Sequence, residues 1–418
     1  MEAAWQSLGT LLSDTLAHVL RELPAFLAGI LFTLVTPRVV AGTRRGWRRL
    51  TRSAARRRAR IARILRAWKG RVGNYDSDFR VINWFATWEE ACALDRVDIA
   101  PARVGDPIRE GPPPPGVAPA DWRARVAAIR AELEDRATDG HDGDVLRVRR
   151  LRTRMEQVDR EEREYLDLVC ESVKYSVHRA RMAHVRAMDP ADREAAQDAF
   201  ISGAPDPTPL SGAVAVNVLI RTEDDRLLFA RRGGGVHAGR HRFTCGVDEM
   251  LRQEDRREDR IELRDVVVRA LREELGIRPR AGDEAAIGDV VSAFGRVISC
   301  EMRISTFDFG IGVGIDLSRI DDLLARGALG EGRSGERLAD TARAKFSEAA
   351  IVGNVRNRTQ GDTVEIAAVR FEPLAPEALA RAFRDAAGDY DDSAYVMAAV
   401  ALHGLAEYPL DRIEAAFR

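Results

Sequence analysis

Residues 269–277 read Arg269-Ala270-Leu271-Arg272-Glu273-Glu274-Leu275-Gly276-Ile277. The pattern predicts a short amphipathic helix that carries two adjacent carboxylates late in its course and stops at a glycine. A glycine-bearing loop, Cys245-Gly246-Val247-Asp248-Glu249, comes before it. Carboxylate oxygens grouped in this way suit Mg²⁺ or Mn²⁺, hard cations that carry substrate phosphates with them. Two glutamates near a helix end are also what an ordinary solvated helix face offers, so the flanks have to decide.

Upstream, residues 213–220 read as a buried strand and Glu223-Asp224-Asp225 as a turn. Residues 226–231 then read as a returning strand that ends on Arg231-Arg232. Gly233-Gly234-Gly235-Val236-His237-Ala238-Gly239-Arg240 is a flexible loop leading to Phe243-Thr244-Cys245-Gly246. Downstream, 286–294 and 301–309 read as an antiparallel strand pair about a turn at Gly295-Arg296. A helical insertion is expected over about 316–361, a last strand over 363–370, and closing helices over 376–387 and 393–405.

Hairpin, basic pair, glycine loop, and a helix running Arg269…Glu273-Glu274-Leu275-Gly276 form a series that resembles the Nudix box and its surroundings. The resemblance covers about 211–387. It implies an α/β fold, a Nudix α/β/α sandwich with a mixed sheet. It also implies chemistry on a nucleoside diphosphate linked to another group: a divalent metal clamps the diphosphate, and a carboxylate-activated water attacks phosphorus. Carried over by position, Glu273 and Glu274 are metal ligands and Arg269 orients Glu273 through an i, i+4 ion pair. A later acidic ligand is expected, with Glu348 as the candidate. Arg231, Arg232, Arg242 and Gly246 are the expected phosphate-binding residues.

Two departures matter. Ala270 stands where the family has a glutamate, on the same helical face as 273 and 274. Loss of a positioned acid commonly costs orders of magnitude in rate. Gly246 and Arg269 are also separated by about nine residues more than in the box, and the extra stretch, 252–260, is densely charged and expected to be a solvated loop. Asp248, Glu249 or that stretch is a possible source of a replacement oxygen. Three functions follow as expectations: a hydrolase, a nucleotide sensor with slow turnover, or an inert scaffold.

Composition sets outer bounds. The chain has 418 residues, a formal net charge of -1 and 31% charged residues, which excludes a global polyanion-binding signature. Cys92, Cys170, Cys245 and Cys300 form no closely spaced pair, so neither a zinc site nor a disulfide framework is expected.

The N-terminus adds a second theme. Residues 23–36 carry no charge but fall short of the roughly 20 residues that cross a bilayer unaided. An amphipathic stretch precedes them, and an arginine block with Trp47 and Trp68 follows over 44–71. This reads as an anchor on an anionic membrane with the main domain on the cytoplasmic side. A buried helix of a soluble domain is the alternative. A basic tract can also bind nucleic acid, but no reader module surrounds this one, so no specific nucleic acid is expected.

The expected order is therefore an amphipathic and anchor segment (1–43), a basic tract (44–73), and a small helical element with a proline-rich linker (74–120). A helical connector (121–202), the Nudix-like domain (211–387) and C-terminal helices (388–418) complete it. Val148, Leu151, Met155, Val158, Tyr165 and Val169 predict one long helix over 144–188. That helix either packs within the chain or forms a coiled coil that makes a homo-oligomer. The order is similar to that of membrane-anchored Nudix effectors of cyclic-oligonucleotide anti-phage systems, whose Nudix-like domain senses a nucleotide.

Overall fold

The computed structural model describes residues 69–418 apart from 73–74, 85–87, 89–90, 102–110, 136–141, 159–160, 202–211, 234–240, 258–259, 279–283, 331, 359–364 and 387. Residues 64–418 group as one unit. The amphipathic segment, the anchor and most of the basic tract lie outside the described residues. Among the described residues, no helix is long and apolar enough to cross a membrane.

The described residues of 74–93, expected to hold a helical element, instead form strands: β1 (Lys69–Val72) precedes them, and β2 (Tyr75–Trp84) and β3 (Cys92–Ala93) fall within them. Their aromatic and β-branched residues suit a strand, and a distant partner strand supplies the hydrogen bonds. Next come β4 (Val97–Pro101) and, past the proline run, α1 (Pro119–Asp135).

The long helix expected over 144–188 is a second correction. The chain forms a hairpin, β5 (Asp144–Val158) and β6 (Glu161–Lys174), and only then a helix, α2 (Tyr175–Ala187), followed by α3 (Pro190–Ile201). The β5–β6 register shifts between Val148 and Arg150. This extra residue moves the alternation by one, so Val148 and Leu151 fall three apart and imitate helical spacing. A coiled coil through this segment loses its basis.

The second half follows its expected order more closely. The hairpin is β7 (Val214–Arg221) and β8 (Arg226–Arg232), then β9 (Phe243–Cys245) and β10 (Val247–Met250). The charged stretch is not a free loop. It makes a 3₁₀ turn at Gln253–Asp255 and a small ribbon, β11 (Arg256–Arg257) and β12 (Arg260–Ile261). The glutamate-bearing helix is α4 (Leu263–Leu275), closed by Gly276 at φ 66.

Residues 286–294, expected as a strand, lie in α5 (Glu284–Phe294). Ile287, Val290, Val291 and Phe294 are all buried at helical spacing. The strand pair begins later, with β13 (Gly295–Arg303) and β14 (Phe309–Asp316). The insertion is helical as expected: α6 (Ile320–Ala325), α7 (Arg333–Phe346) and α8 (Glu348–Arg358). The chain ends with β15 (Ile366–Pro373), α9 (Pro376–Asp385), α10 (Asp392–Gly404) and α11 (Leu410–Phe417).

These strands form a mixed α/β structure with two sheets. The larger runs β1-β2-β13-β14-β7-β8-β15, with β10 on β7, β3 on β13 and β9 on β8. The β7–β14 pair is parallel. The smaller sheet runs β11-β12-β4-β6-β5, so the charged stretch and the N-terminal strands share one sheet. In the larger sheet Asn217, Asp248 and Gly312 share one face through their pairing register, while Val216 and Glu249 share the other. Glu249 meets α4 on that second face, and Leu405, just past α10, lies against Gly314 on the first. Helices thus cover both faces, and the core runs between them.

Candidate functional site

Gly246 sets the site's geometry. Its φ is 73, and a Cβ there would overlap the Val218 carbonyl oxygen, so the crossing from β9 to β10 needs glycine. The next residues then alternate across the sheet, with Asp248 on one face and Glu249 on the other.

Glu249 is buried and forms an ion pair with Arg269 of α4; Arg252 Nη2 donates to its Oε1 at 3.0 Å. Burial raises the Glu249 carboxyl, and the two arginines oppose that shift. The expected i, i+4 ion pair of Arg269 with Glu273 is present, at 3.7 Å. Arg269 is held bidentately by Asp255: Nε donates to Oδ1 at 2.8 Å and Nη2 to Oδ2 at 2.7 Å. Nη2 also donates to the Met250 carbonyl at 2.9 Å. A guanidinium held bidentately by a carboxylate is a stronger and more directional pairing than a single i, i+4 contact.

Glu273 is half-exposed, with Arg272 Nη2 at 3.2 Å and Arg252 Nη1 at 3.7 Å. Glu274 is buried at 6% exposure. Burial pushes its carboxyl up to about 10, reinforced by a hydrogen bond with the Glu365 carboxyl and by the charges of Glu365 and Glu249, while Arg232 pulls down. A hydrogen bond between two carboxyl groups requires one of them to hold a proton. Glu365 reaches this place because the Gly233 amide donates to its carbonyl at 2.7 Å, where β15 begins beside the end of β8. Ala270 is fully buried, its methyl in the core.

The remaining expected residues divide. Arg232 lies at the site, with Nη1 3.3 Å from Asp248 Oδ2. Burial raises Asp248, and Arg232 opposes that shift. Arg231 is exposed and donates from Nε to the His241 carbonyl at 3.0 Å. Arg242 is exposed, and its carbonyl accepts from the Arg232 amide at 3.0 Å. Most of the glycine loop, 234–240, lies outside the described residues. Glu348 is not brought to Glu273 and Glu274. It pairs with Arg226 at 2.7 Å, at the start of β8, roughly 20 Å along the strand from Arg232 at its end. Glu365 and Asp255 are the residues that sequence reasoning missed, since each reaches the site through pairing with a distant segment.

The donors gathered here are carboxylate oxygens, which Mg²⁺ and Mn²⁺ prefer. A buried carboxyl hydrogen-bonded to a second carboxyl at the surface keeps a proton, and a cation can replace that proton. Among the described residues no group of three or more His, Cys, Asp or Glu already surrounds one point. Glu249 is turned to Arg269, and Glu273 has Arg252 and Arg272 beside it. The set fits such an ion in its chemistry and has to draw together to hold it.

Another buried acid, Glu301 of β13, lies on the opposite sheet face. Asn217 Nδ2 hydrogen-bonds to its Oε1, and Ser299 Oγ donates to its Oε2 at 2.9 Å. Burial raises it to about 7 despite these two donors. Comparison with known protein families and with curated protein sequences finds no match to this chain.

Proposed function

We propose that the second half of the chain is a Nudix-fold domain that binds, and hydrolyses, a nucleoside diphosphate linked to another group. Glu273 and Glu274 would hold Mg²⁺ or Mn²⁺ together with Glu365, and Glu249 would supply the carboxylate that Ala270 lacks. One arrangement carries the reading: Glu274 is buried beside the carboxyls of Glu365 and Glu249, and burial together with these acids pushes its own carboxyl far up. The parallel β7–β14 pair at the sheet's centre and the α4 helix packed on β10 are compatible with the fold. When bound, the cation would polarise a phosphoryl oxygen and lower the pKa of an attacking water. Arg232, whose charge reaches Glu274 while its Nη1 stands 3.3 Å from Asp248, would bind a phosphate, with the exposed Arg231 and Arg242 as further candidates.

A second reading is a sensor that binds the nucleotide with little turnover. It is favoured by Ala270 and by the engagement of Glu249 with Arg269 and Arg252. Under either reading the N-terminal segment attaches the protein to an anionic membrane, with this domain on the cytoplasmic side. In the sensor case it would be the output, as in the anti-phage effectors whose domain order is similar.

The test uses the full chain with Mn²⁺ or Mg²⁺ and a panel of nucleoside-diphosphate compounds and cyclic oligonucleotides, recording product release and thermal stabilisation. Metal-dependent cleavage that falls by about a hundredfold or more in Glu274→Gln supports the hydrolase. Stabilisation by one nucleotide without cleavage supports the sensor. Neither response in any condition would sink both.

A further inference from the structure

The charged stretch between β10 and α4 is the feature that departs furthest from the resemblance, and it carries a residue built into the site. Asp255 is only 8% exposed in its side chain, and Arg269 only 12%. The carboxylate takes both Nε and Nη2 of Arg269, at 2.8 and 2.7 Å. Asp255 is itself fixed, because the Arg252 amide donates to its Oδ2 at 2.8 Å across the 3₁₀ turn. The turn is also held from outside: Ile261, six residues on, is 1% exposed and pairs with Ile99 of the smaller sheet. Two attachments for one short turn make Asp255 a fixed anchor.

Two other acids lie within reach of the same guanidinium. Glu249 touches Nη1, and Glu273 stands 3.7 Å from it. Without Asp255, the edge of the fork that now faces it would turn to these two, the very acids the functional reading needs for a cation. We infer that Asp255 is a positioning residue: by taking both donors on the Nε–Nη2 edge of the Arg269 guanidinium, it keeps the arginine from closing further onto Glu273 and leaves that carboxylate for the metal. This rests on the metal reading above. It assigns to the inserted stretch a task that its charge alone, read as a solvated loop, does not suggest.

The experiment measures Mn²⁺ affinity of the full chain by electron paramagnetic resonance titration, with thermal unfolding alongside. Asp255→Asn is expected to weaken Mn²⁺ binding about tenfold, the usual size of an effect exerted through a ligand's neighbour. Adding Arg269→Gln to it removes the guanidinium and should restore most of the affinity. A purely structural Asp255 would instead lower the unfolding temperature in both variants, with no recovery of affinity in the double one. Should Asp255→Asn not fold, Asp255→Glu keeps the charge and moves the fork by one methylene, with a few-fold weakening expected. Unchanged Mn²⁺ affinity in a folded variant at position 255, when the unaltered chain binds Mn²⁺, overturns the inference alone. No Mn²⁺ binding by the unaltered chain removes the functional reading and this inference with it.

Discussion

Glu274 and Glu301 are both buried acids on the larger sheet's two sides, and they are held in opposite ways. Glu301 receives hydrogen bonds from Asn217 and Ser299. A Cβ at Gly310 or Gly312 would overlap this trio, so β14 is hollowed to admit it. Those donors restrain the effect of burial, and its carboxyl rises only to about 7. Glu274 is buried against another carboxyl and near the charge of a third, with Arg232 opposing them, and rises to about 10. An acid whose neighbours satisfy it is part of the scaffold. An acid surrounded by its own kind is where added positive charge is most stabilising.

The contrast can be tested through pH. Each acid is raised above its ordinary 4.5, so the native state keeps a proton that the unfolded chain gives up. Stability therefore falls as pH rises from 4.5 to the folded value, by about 1.4 kcal/mol per pH unit for each group. Of these two, both contribute up to about pH 7, and only Glu274 from there to about 10. The largest expected effect is that Glu274→Gln removes the loss between pH 7 and 9, about 3 kcal/mol by urea unfolding. Saturating Mn²⁺ should do the same for the unaltered chain. Glu301→Gln should leave that upper window intact and lessen the slope below pH 7. If Mn²⁺ flattened the lower window instead, the roles assigned to the two acids would be reversed.

Gly310→Ala comes next, with an expected loss of about 2 kcal/mol from overpacking against Glu301 and Asn217. Mn²⁺ affinity should not change in the folded variant. A drop in affinity would mean that the two faces of the sheet are coupled. The smallest effect belongs to Glu348→Gln. Its pair with Arg226 is partly exposed, at 30% and 35%, so a loss under about 1 kcal/mol is expected. Unaltered Mn²⁺ affinity would keep Glu348 out of the site; a fall would bring it back in.

What was legible in the sequence was what local periodicity records. The spacing of Leu263, Val266, Val267, Ala270 and Leu271 gives the α4 helix, and Gly276 in the left-handed region ends it. The β7–β8 hairpin is equally local. The hairpin β5–β6 was hidden because a single bulge altered its period, and α5 because its short apolar run suits either a helix or a strand. Half of the site was hidden for a different reason. Glu273, Glu274 and Arg269 sit on one helix, but Asp255 and Glu365 arrive from a turn and a strand end whose positions depend on pairing with remote segments. No spacing within the sequence records that.

The placement of β2 has one more consequence. Val81 pairs with Glu301, and Arg80 with Met302, so this strand waits for a partner made far later in the chain. With the ribosome adding about 5–20 residues per second, the roughly two hundred intervening residues take on the order of ten to forty seconds. Through that interval the early strand has an unpaired edge, and the smaller sheet lacks the β12 strand that adjoins β4. Such high contact order slows folding and leaves the nascent chain open to association with its neighbours. In the cell, this protein's yield should depend on whatever shields its first strands during synthesis.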